Sequence, residues 1–278
     1  MDLSIIIISW KVKEKLRENL SALFNSKGDF SFEVFVVDNN SGDGSAEMIK
    51  ENFPKVKLIA NSENLGFSKA NNQAIKEVSG DFILLLNPDM KVFPDTLENS
   101  LNFAKNNSQA VVSGFKLVNE KGEIIKQIRK FPKLLDQLII ILKLPHIFPF
   151  LLNSYIPKDF DYENTAKVDS VRGAFFLINK KAYQKISGKD KPFLDERYFI
   201  WFEEVDFCRE VKSLGGEVYY SPEAKCLDYV GASFSQVKLG LTQRYFRDSM
   251  LNYFKKWEKK WDYLILKFAW KLMGFLIK

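Results

Sequence analysis

The sequence predicts an α/β fold: a doubly wound, mainly parallel sheet flanked by helices, with an amphipathic helical tail at the C-terminus. Three observations carry this expectation. Leu3 to Ser9, Phe32 to Val37 and Phe82 to Leu86 are almost unbroken apolar runs, as in strands buried on both faces of a sheet. Apolar residues at helical spacing separate them, so strands and helices alternate as in βαβ units with right-handed crossovers. The runs end abruptly in polar residues, which sets chemically capable side chains along the carboxyl edge of the sheet, where open α/β sheets bind ligands.

In chain order, the first strand ends in Ser9 and Trp10 and is followed by a helix through Val12, Leu16, Leu20, Leu23 and Phe24. The second ends in Asp38-Asn-Asn-Ser-Gly42, with Ser41 and Asp43 placed to cap a helix through Ala46, Met48 and Ile49. A third strand, Val56 to Ala60, leads through Asn64-Leu-Gly-Phe into a helix over Phe67 to Val78. The fourth strand ends in Asn87-Pro-Asp89, which taken alone reads as a turn. Ala110 to Leu117 and Glu123 to Ile128 predict two more strands around the turn at Asn119 to Gly122.

With 278 residues and 46% hydrophobic content, the chain can bury one large α/β domain with C-terminal additions. Two cysteines, Cys208 and Cys226, are too far apart for a redox or zinc pattern, and no charged-then-apolar leader precedes the first strand, which favours a reducing cytoplasm. The net charge of +6 gathers in the tail: from Lys238 onward there are 10 Lys+Arg against 3 Asp+Glu, so the body is nearly neutral. The tail interleaves its lysines with Trp257, Trp261 and Trp270, which suits an anionic membrane surface better than nucleic acid. Tyr245 to Ile277 reads as one helix. Lys256, Lys260, Lys267, Lys271 and Lys278 form a stripe on it, beside a broad face of Trp257, Trp261, Leu264, Phe268, Leu272 and Phe275. Its apolar run from Tyr263 to Ile277 is shorter than the roughly 20 residues a bilayer crossing takes, so the helix is expected to lie in the interface. Leu134 to Leu152 is also strongly apolar but broken by Pro145 and Pro149. It reads either as a core-packing insert or as a lip that meets lipid, and the lone His146 within it as structural.

The chemistry is bounded first by what is missing. Neither a Gly-x-Gly-x-x-Gly nor a Gly-x-x-x-x-Gly-Lys-Ser/Thr motif occurs, which argues against dinucleotide hydride transfer and P-loop hydrolysis. The strand ends offer Ser9, Trp10, Asp38, Asn64, Lys69 and Asp89 instead. Asp38 can accept from a base imide or ribose hydroxyls, Lys69 can meet a phosphate, and Asp89 can hold a divalent cation against a diphosphate.

Ser-Ile-Ile-Ile-Ile-Ser-Trp at the first strand, Val-Val-Asp-Asn-Asn-Ser-Gly-Asp-Gly-Ser at Val36 to Ser45, Asn64-Leu-Gly-Phe and Leu-Asn-Pro-Asp resemble the inverting nucleotide-sugar glycosyltransferases of family 2, with the GT-A fold. Rhamnosyltransferase-like members are the most similar. The resemblance implies that Asp38 contacts the nucleotide base. It places Asn87 and Asp89 at the Asp-x-Asp motif, with Asp89 on Mg²⁺ or Mn²⁺, and Arg172-Gly173-Ala174 at the floor of the sugar pocket. Trp201 to Asp206 is similar to the Glu-Asp-x-Asp motif. Glu204 then stands at the catalytic base with Glu203 beside it, although Glu203, Glu204 and Glu210 could also form a solvated acidic helix start. Arg209 could pair with an acidic neighbour or face a phosphate. Asp228 stands where relatives carry a metal-binding histidine, followed by Gly231 and Ser233 as in the family. Departures are Lys11 in place of an asparagine, Asn87 in place of the first aspartate, Glu210 in place of an arginine, and Asp228 itself.

The implied organisation is a glycosyltransferase domain over 1–237, with a nucleotide-binding half (1–117), an apolar insert (131–165) and an acceptor or catalytic half (166–237), then a basic tail over 238–278. The implied function is metal-dependent transfer of a sugar from a nucleotide-diphosphate sugar to a hydroxyl of a lipid-linked cell-surface glycan, in polysaccharide biosynthesis, by an enzyme peripheral on the inner face of the cell membrane. Two rivals stand beside it. A nucleotidyltransferase needs a Gly-rich basic first loop that Ser9-Trp10-Lys11 does not supply, and a catalytically inactive membrane adaptor would explain the departures.

Overall fold

A computed structural model of the chain describes residues 1–229 and 239–276. Strands β1 (Leu3–Ser9), β2 (Phe32–Asp38), β3 (Lys57–Ala60) and β4 (Phe82–Leu86) pair in parallel in the order β3-β2-β1-β4. Helices α1 (Lys13–Phe24), α2 (Ser45–Asn52) and α3 (Phe67–Ile75) make the crossovers. The register sets Ser9 beside Asp38 and Ile7 beside Leu86, so the polar ends of β1, β2 and β4 open on one edge. Continuous apolar runs are needed because both faces are covered. Ile5, Ile7, Leu84 and Leu86 face one core with α1 and α2, while Ile6, Ile8, Ile83 and Leu85 face a second core that includes α3.

Beyond β4 the sheet becomes mixed. After β5 (Met90–Val92), α4 (Thr96–Asn106), β6 (Ala110–Val118), α5 (Leu134–Ile141) and β7 (Ala166–Lys167), strand β8 (Phe175–Asn179) inserts antiparallel between β4 and β6. Helices α6 (Lys180–Ser187) and α7 (Glu203–Ser213) precede β9 (Glu217–Asp228), which runs parallel to β6 and antiparallel to β5 and β7. The nine strands among the described residues form a single sheet.

Three expectations change. Glu123 to Ile128 is not a strand: after one bridge between Val118 and Ile124, the Gln127 side chain donates to the Phe115 carbonyl and the Ile128 amide donates to the Tyr162 hydroxyl, so side chains replace the ladder. The insert is a short helix, α5, followed by two 3₁₀ turns at Leu144–His146 and Pro149–Leu152, and His146 is exposed on the first of them. The tail is two helices, α8 (Leu239–Trp257) and α9 (Lys260–Leu276), because the chain turns at Glu258. There the Glu258 carboxylate and the Trp257 carbonyl both accept from Arg209 of α7.

The tail is also less of an appendage than its charge implied. A third core joins Tyr198, Phe202 and Val205 to Met250, Tyr253 and Phe254 of α8, Leu266 of α9 and Ile141 of α5. Trp257 packs into this core, and Lys256 leaves the lysine stripe to pair with Asp195 and Asp206. Lys278 and Ile277 lie outside the described residues, as do Gly231 and Ser233. Phe254 is fully buried, so Phe254→Ala is expected to destabilise the whole domain by about 3–5 kcal/mol. Chemical denaturation followed by the fluorescence of the entire chain checks this; an unchanged midpoint would make the tail a separate unit.

Candidate active site

A cavity of about 340 Å³ opens at the carboxyl edge of the parallel half-sheet. Trp10 follows β1, Asn39 follows β2, and Asn64 and Gly66 come from the turn into α3. Asn87 and Asp89 follow β4, and Arg172, Gly173 and Ala174 lead into β8. The far wall is Phe199, Ile200 and Trp201, then Glu203 and Glu204 in the first turn of α7, with Leu241 and Tyr245 of α8 completing it.

Each wall is fixed by identifiable contacts. The Asn87 carbonyl accepts from Met90 N–H at 3.3 Å and from Asn19 Nδ2 at 2.8 Å, so Asn87-Pro-Asp-Met90 is a turn that also carries a buried carboxylate into the cavity. In the Asn64-Leu-Gly-Phe turn, Asn64 Oδ1 accepts from Gly66 N–H at 3.0 Å and the Phe67 amide donates to the Phe199 carbonyl at 2.6 Å. Gly66 has φ of +81°, and a β-carbon there would sit 2.5 Å from that same carbonyl oxygen, so only glycine closes this seam. Across it, Asn72 clamps the backbone of Leu194 through both its amide atoms, at 2.8 and 2.9 Å.

The α7 start is the most constrained part. Trp201 and Phe202 both lie in the left-handed region, at φ of +65° and +69°, which is rare for bulky side chains and costs on the order of 1–3 kcal/mol each. Their rings are held by the third core, against Phe246 and Tyr253. The helix that follows directs Glu203 and Glu204 inward, and Oε2 of each is buried without a hydrogen-bond partner. Burial and the Glu204 charge push the Glu203 carboxyl well above the usual glutamate range. Burial raises Glu204 too, but the Arg129 and Arg172 guanidinium groups oppose it. In the insert, burial pushes the Tyr155 phenol up to about 12, with Arg129 and Glu204 among the charges that act on it.

Most residues singled out in the sequence meet here: Trp10, Asn64, Asn87, Asp89, Arg172, Gly173, Glu203 and Glu204 all line the cavity. Ser9 lies fully buried at its edge of the sheet. Ser9, Asp38, Lys69 and Asp228 are not among the lining residues. Asp38 is buried against its own turn, accepting from the Ser41 amide and hydroxyl, and its neighbour Asn39 lines the cavity instead. Lys69 is exposed on α3 outside the lining, because the helix turns it to solvent. Arg209 is structural, bonded to Glu258 at 2.5 Å and to the Tyr253 hydroxyl at 2.8 Å, and Glu210 pairs with Lys189. The solvated acidic helix start therefore applies to Glu210 and not to Glu203 or Glu204. Asn39, Phe199, Leu241 and Tyr245 were missed, since each enters from a neighbouring turn or from the tail and belongs to no local pattern.

For a divalent cation, the register is informative. Strands β5 and β9 pair Met90 with Asp228, which brings Asp89 and Asp228 to neighbouring positions, and the Tyr229 amide donates to the Asp89 carbonyl at 3.2 Å. Asp228 also accepts from Arg172 Nη1 at 2.7 Å. No cluster of three or more His, Cys, Asp or Glu suited to a metal occurs among the described residues. Two carboxylates fit a magnesium-type ion that takes its remaining ligands from substrate phosphates and water.

The model of glycosyl transferase family 2 matches residues 4–186, well over half of the chain. The chain belongs to glycosyl transferase family 2. The match ends before α7, so Glu203 and Glu204 rest on the geometry above and on the motif resemblance. This family 2 member is 27% identical to the rhamnosyltransferase WbbL of Escherichia coli, over 81% of its own length and 82% of that protein. It is 24% identical to the N-acetylglucosaminyl-diphospho-decaprenol L-rhamnosyltransferase of Mycobacterium tuberculosis, over 70% of its own length, and the match covers 66% of that relative, just under two thirds. Among solved structures, a mannosyltransferase from Pyrobaculum calidifontis in complex with GDP-Man and Mn²⁺ superposes with a TM-score of 0.59 at 14% identity, covering 91% of this chain and 63% of that one. Residues 1–349 of TarS from S. aureus give 0.54 at 17%, covering 92% and 72%. The expected GT-A architecture is the architecture observed.

The raised Glu203 carboxyl has a signed consequence for stability. A folded-state value above the unfolded one means that the native state holds the proton longer, so stability falls as pH rises past the ordinary glutamate range. Glu203→Gln is therefore expected to raise the Tm at about pH 8 and to leave it unchanged at about pH 4. Calorimetry at both pH values checks this; a lower Tm at the higher pH would mean that the ionised carboxylate stabilises the fold.

Proposed function

We propose that this chain is an inverting hexosyltransferase that moves a sugar from a nucleoside-diphosphate sugar to a hydroxyl of a lipid-linked cell-surface glycan. The observation that carries this reading is a pair of carboxyls, buried Glu203 and half-buried Glu204, each with its Oε2 shielded, in the cavity that also takes Asp89 and Arg172. An inverting transfer is a single displacement. The acceptor oxygen bonds to the anomeric carbon as the bond to the diphosphate breaks, and one base takes the hydroxyl proton on the opposite face. Burial raises both carboxyls, but the Glu204 charge raises Glu203 further while Arg129 and Arg172 favour the charged form of Glu204, and this division makes Glu204 the base. This division favours an enzyme over an inactive adaptor.

On the donor side, Trp10, Asn39 and Asn64 stand where a nucleoside would lie, with Asp38 supporting that wall from behind, and Gly173 leaves room for the sugar beside Glu204. Asp89 and Asp228 would hold Mg²⁺ or Mn²⁺, which supplies positive charge to the departing diphosphate. The Mn²⁺ named with the Pyrobaculum mannosyltransferase supports that choice. Arg172, anchored on Asp228, adds a fixed cation on the same side. The diphospho-decaprenol acceptor in the name of the mycobacterial relative supports a lipid-linked acceptor, which would bring the enzyme to the inner face of the cell membrane.

Glu204→Gln is expected to leave donor binding intact and to lower turnover by roughly 10² or more, and Glu203→Gln to cost far less. The acid limb of kcat/KM should lie above the ordinary glutamate range and disappear in Glu204→Gln. Steady-state kinetics across pH decide it; equal losses, or the reverse order, would move the base to Glu203. Asp89→Ala is expected to abolish transfer and to remove the metal dependence of nucleotide binding, measured by calorimetric titration with and without Mn²⁺. Near-normal turnover would reduce Asp89 to a turn residue.

A further inference from the structure

Ten of the fifteen large apolar side chains exposed among the described residues fall in two short segments far apart in sequence. The first is the insert, where Leu135 of α5 is 66% exposed and Ile147 and Phe150 of the following 3₁₀ region are 69% and 59% exposed. The second is α9, where Trp261 is 73% and Phe268 68% exposed, with Ile265 and Leu272 on the same stripe. Scattered apolar residues on a surface need no explanation, but this concentration does.

The two segments are neighbours in space. Leu134, Leu138 and Ile141 of α5 and Leu266, Ala269 and Met273 of α9 share the third core. Residues at i, i+3 and i+7 therefore face inward on α9, and Trp261, Ile265, Phe268 and Leu272 form the opposite stripe. Leu135 on α5 is exposed outside the inward set, as is Leu142 immediately after the helix. Two helices in contact each turn an apolar stripe to solvent, and Ile147, Phe148 and Phe150 extend the one on α5.

The charge around these stripes has one sign. Lys143, Lys260, Lys267 and Lys271 are exposed on the two segments. Within residues 134–150 and 260–273, which carry the stripes, the carboxylates are Asp136, buried in the α5 capping box, and a half-buried Asp262. Neither segment can cross a bilayer, since no described helix is long and apolar enough. Apolar side chains rimmed by lysines match a monolayer of anionic lipid, with rings at acyl depth and ammonium groups among the headgroups.

From these observations we infer that the insert and α9 together form one docking platform for an anionic lipid surface, so that the insert is part of how the enzyme meets the membrane. This deepens the lipid-linked reading above and rests on it for its purpose, while the surface alone carries the binding.

The test uses the full chain, because α8 and α9 are core elements, and two pairs of substitutions at exposed positions: Trp261→Glu with Phe268→Glu on α9, and Ile147→Glu with Phe150→Glu in the insert. Flotation is measured with phosphatidylcholine vesicles and with vesicles that also contain phosphatidylglycerol. The wild type should float with the anionic vesicles and be released as salt rises, and each pair should weaken that binding about tenfold or more while keeping the native Tm. Donor hydrolysis in the absence of acceptor lipid should not change in either pair. The inference is overturned if the wild type does not float, if the insert pair floats like the wild type, or if sedimentation shows a dimer that both pairs dissociate, which would make the platform an interface between copies. Vesicle binding as expected, with no transfer to a lipid-linked acceptor, would instead sink the functional reading and leave the platform standing.

Discussion

The side chain on which the site most depends is Asp206. It is buried, and its two oxygens accept from the Tyr198 hydroxyl at 3.0 Å, Trp257 Nε1 at 2.6 Å and Lys256 Nζ at 2.6 Å. Burial raises its carboxyl, and these three donors work against that rise. One carboxylate thus ties together the loop before α7, α7 itself and the end of α8. Removing one partner from a buried charge pair of this kind costs about 3–5 kcal/mol, since the remaining charge is stranded. Glu203 and Glu204 lie three and two residues upstream on the same helix, so the hub sets where they point.

That hub also accounts for the strained backbone next to it. Trp201 and Phe202 stay left-handed because the aromatic core of the tail fixes their rings on one side and the Asp206 network fixes the helix on the other. With the tail displaced, the ring packing that keeps two bulky residues in that conformation is lost, and the first turn of α7 is expected to relax away from the cavity. The tail contributes Leu241 and Tyr245 to the cavity wall, with Tyr245 stacked on Phe199 at 4.2 Å between ring centroids. Tail, strained turn and paired carboxylates form one mechanical unit.

Much of this was legible in the sequence and some was not, for reasons that lie in particular residues. Apolar runs such as Leu3–Ser9 report their own burial, so the parallel half-sheet and the polar residues at its edge could be read directly. Asp89, Asn64 and Trp10 were found because strand ends in such a sheet converge. The strands of the mixed half were legible, Ala110 to Leu117 from its pattern and those within 168–179 and 215–224 through the family resemblance, but their order and direction were not, because the pairing of β8 with β4 and β6 leaves no local mark. The salt bridge from Arg172 to Asp228, which reshapes the expected metal site, joins residues 56 apart. The helical period of the tail was visible, but not its division at Glu258 or its inward face, since both are set by partners on α7. Exposed Lys69 and inward-turned Asp38 show the limit of reading roles from strand-end position alone: a side chain one residue away, Asn39, took the place in the cavity wall.

The coupling of the tail to the helix that carries Glu203 and Glu204 can be measured without any assumption about substrate. Hydrogen–deuterium exchange of Asp206→Ala against the wild type would report the protection of residues 196–206 and 250–258 separately. If Asp206 is the joint, both stretches lose protection together while the parallel half-sheet over 3–86 keeps it. Loss confined to 250–258, with the first turn of α7 as protected as before, would contradict the account.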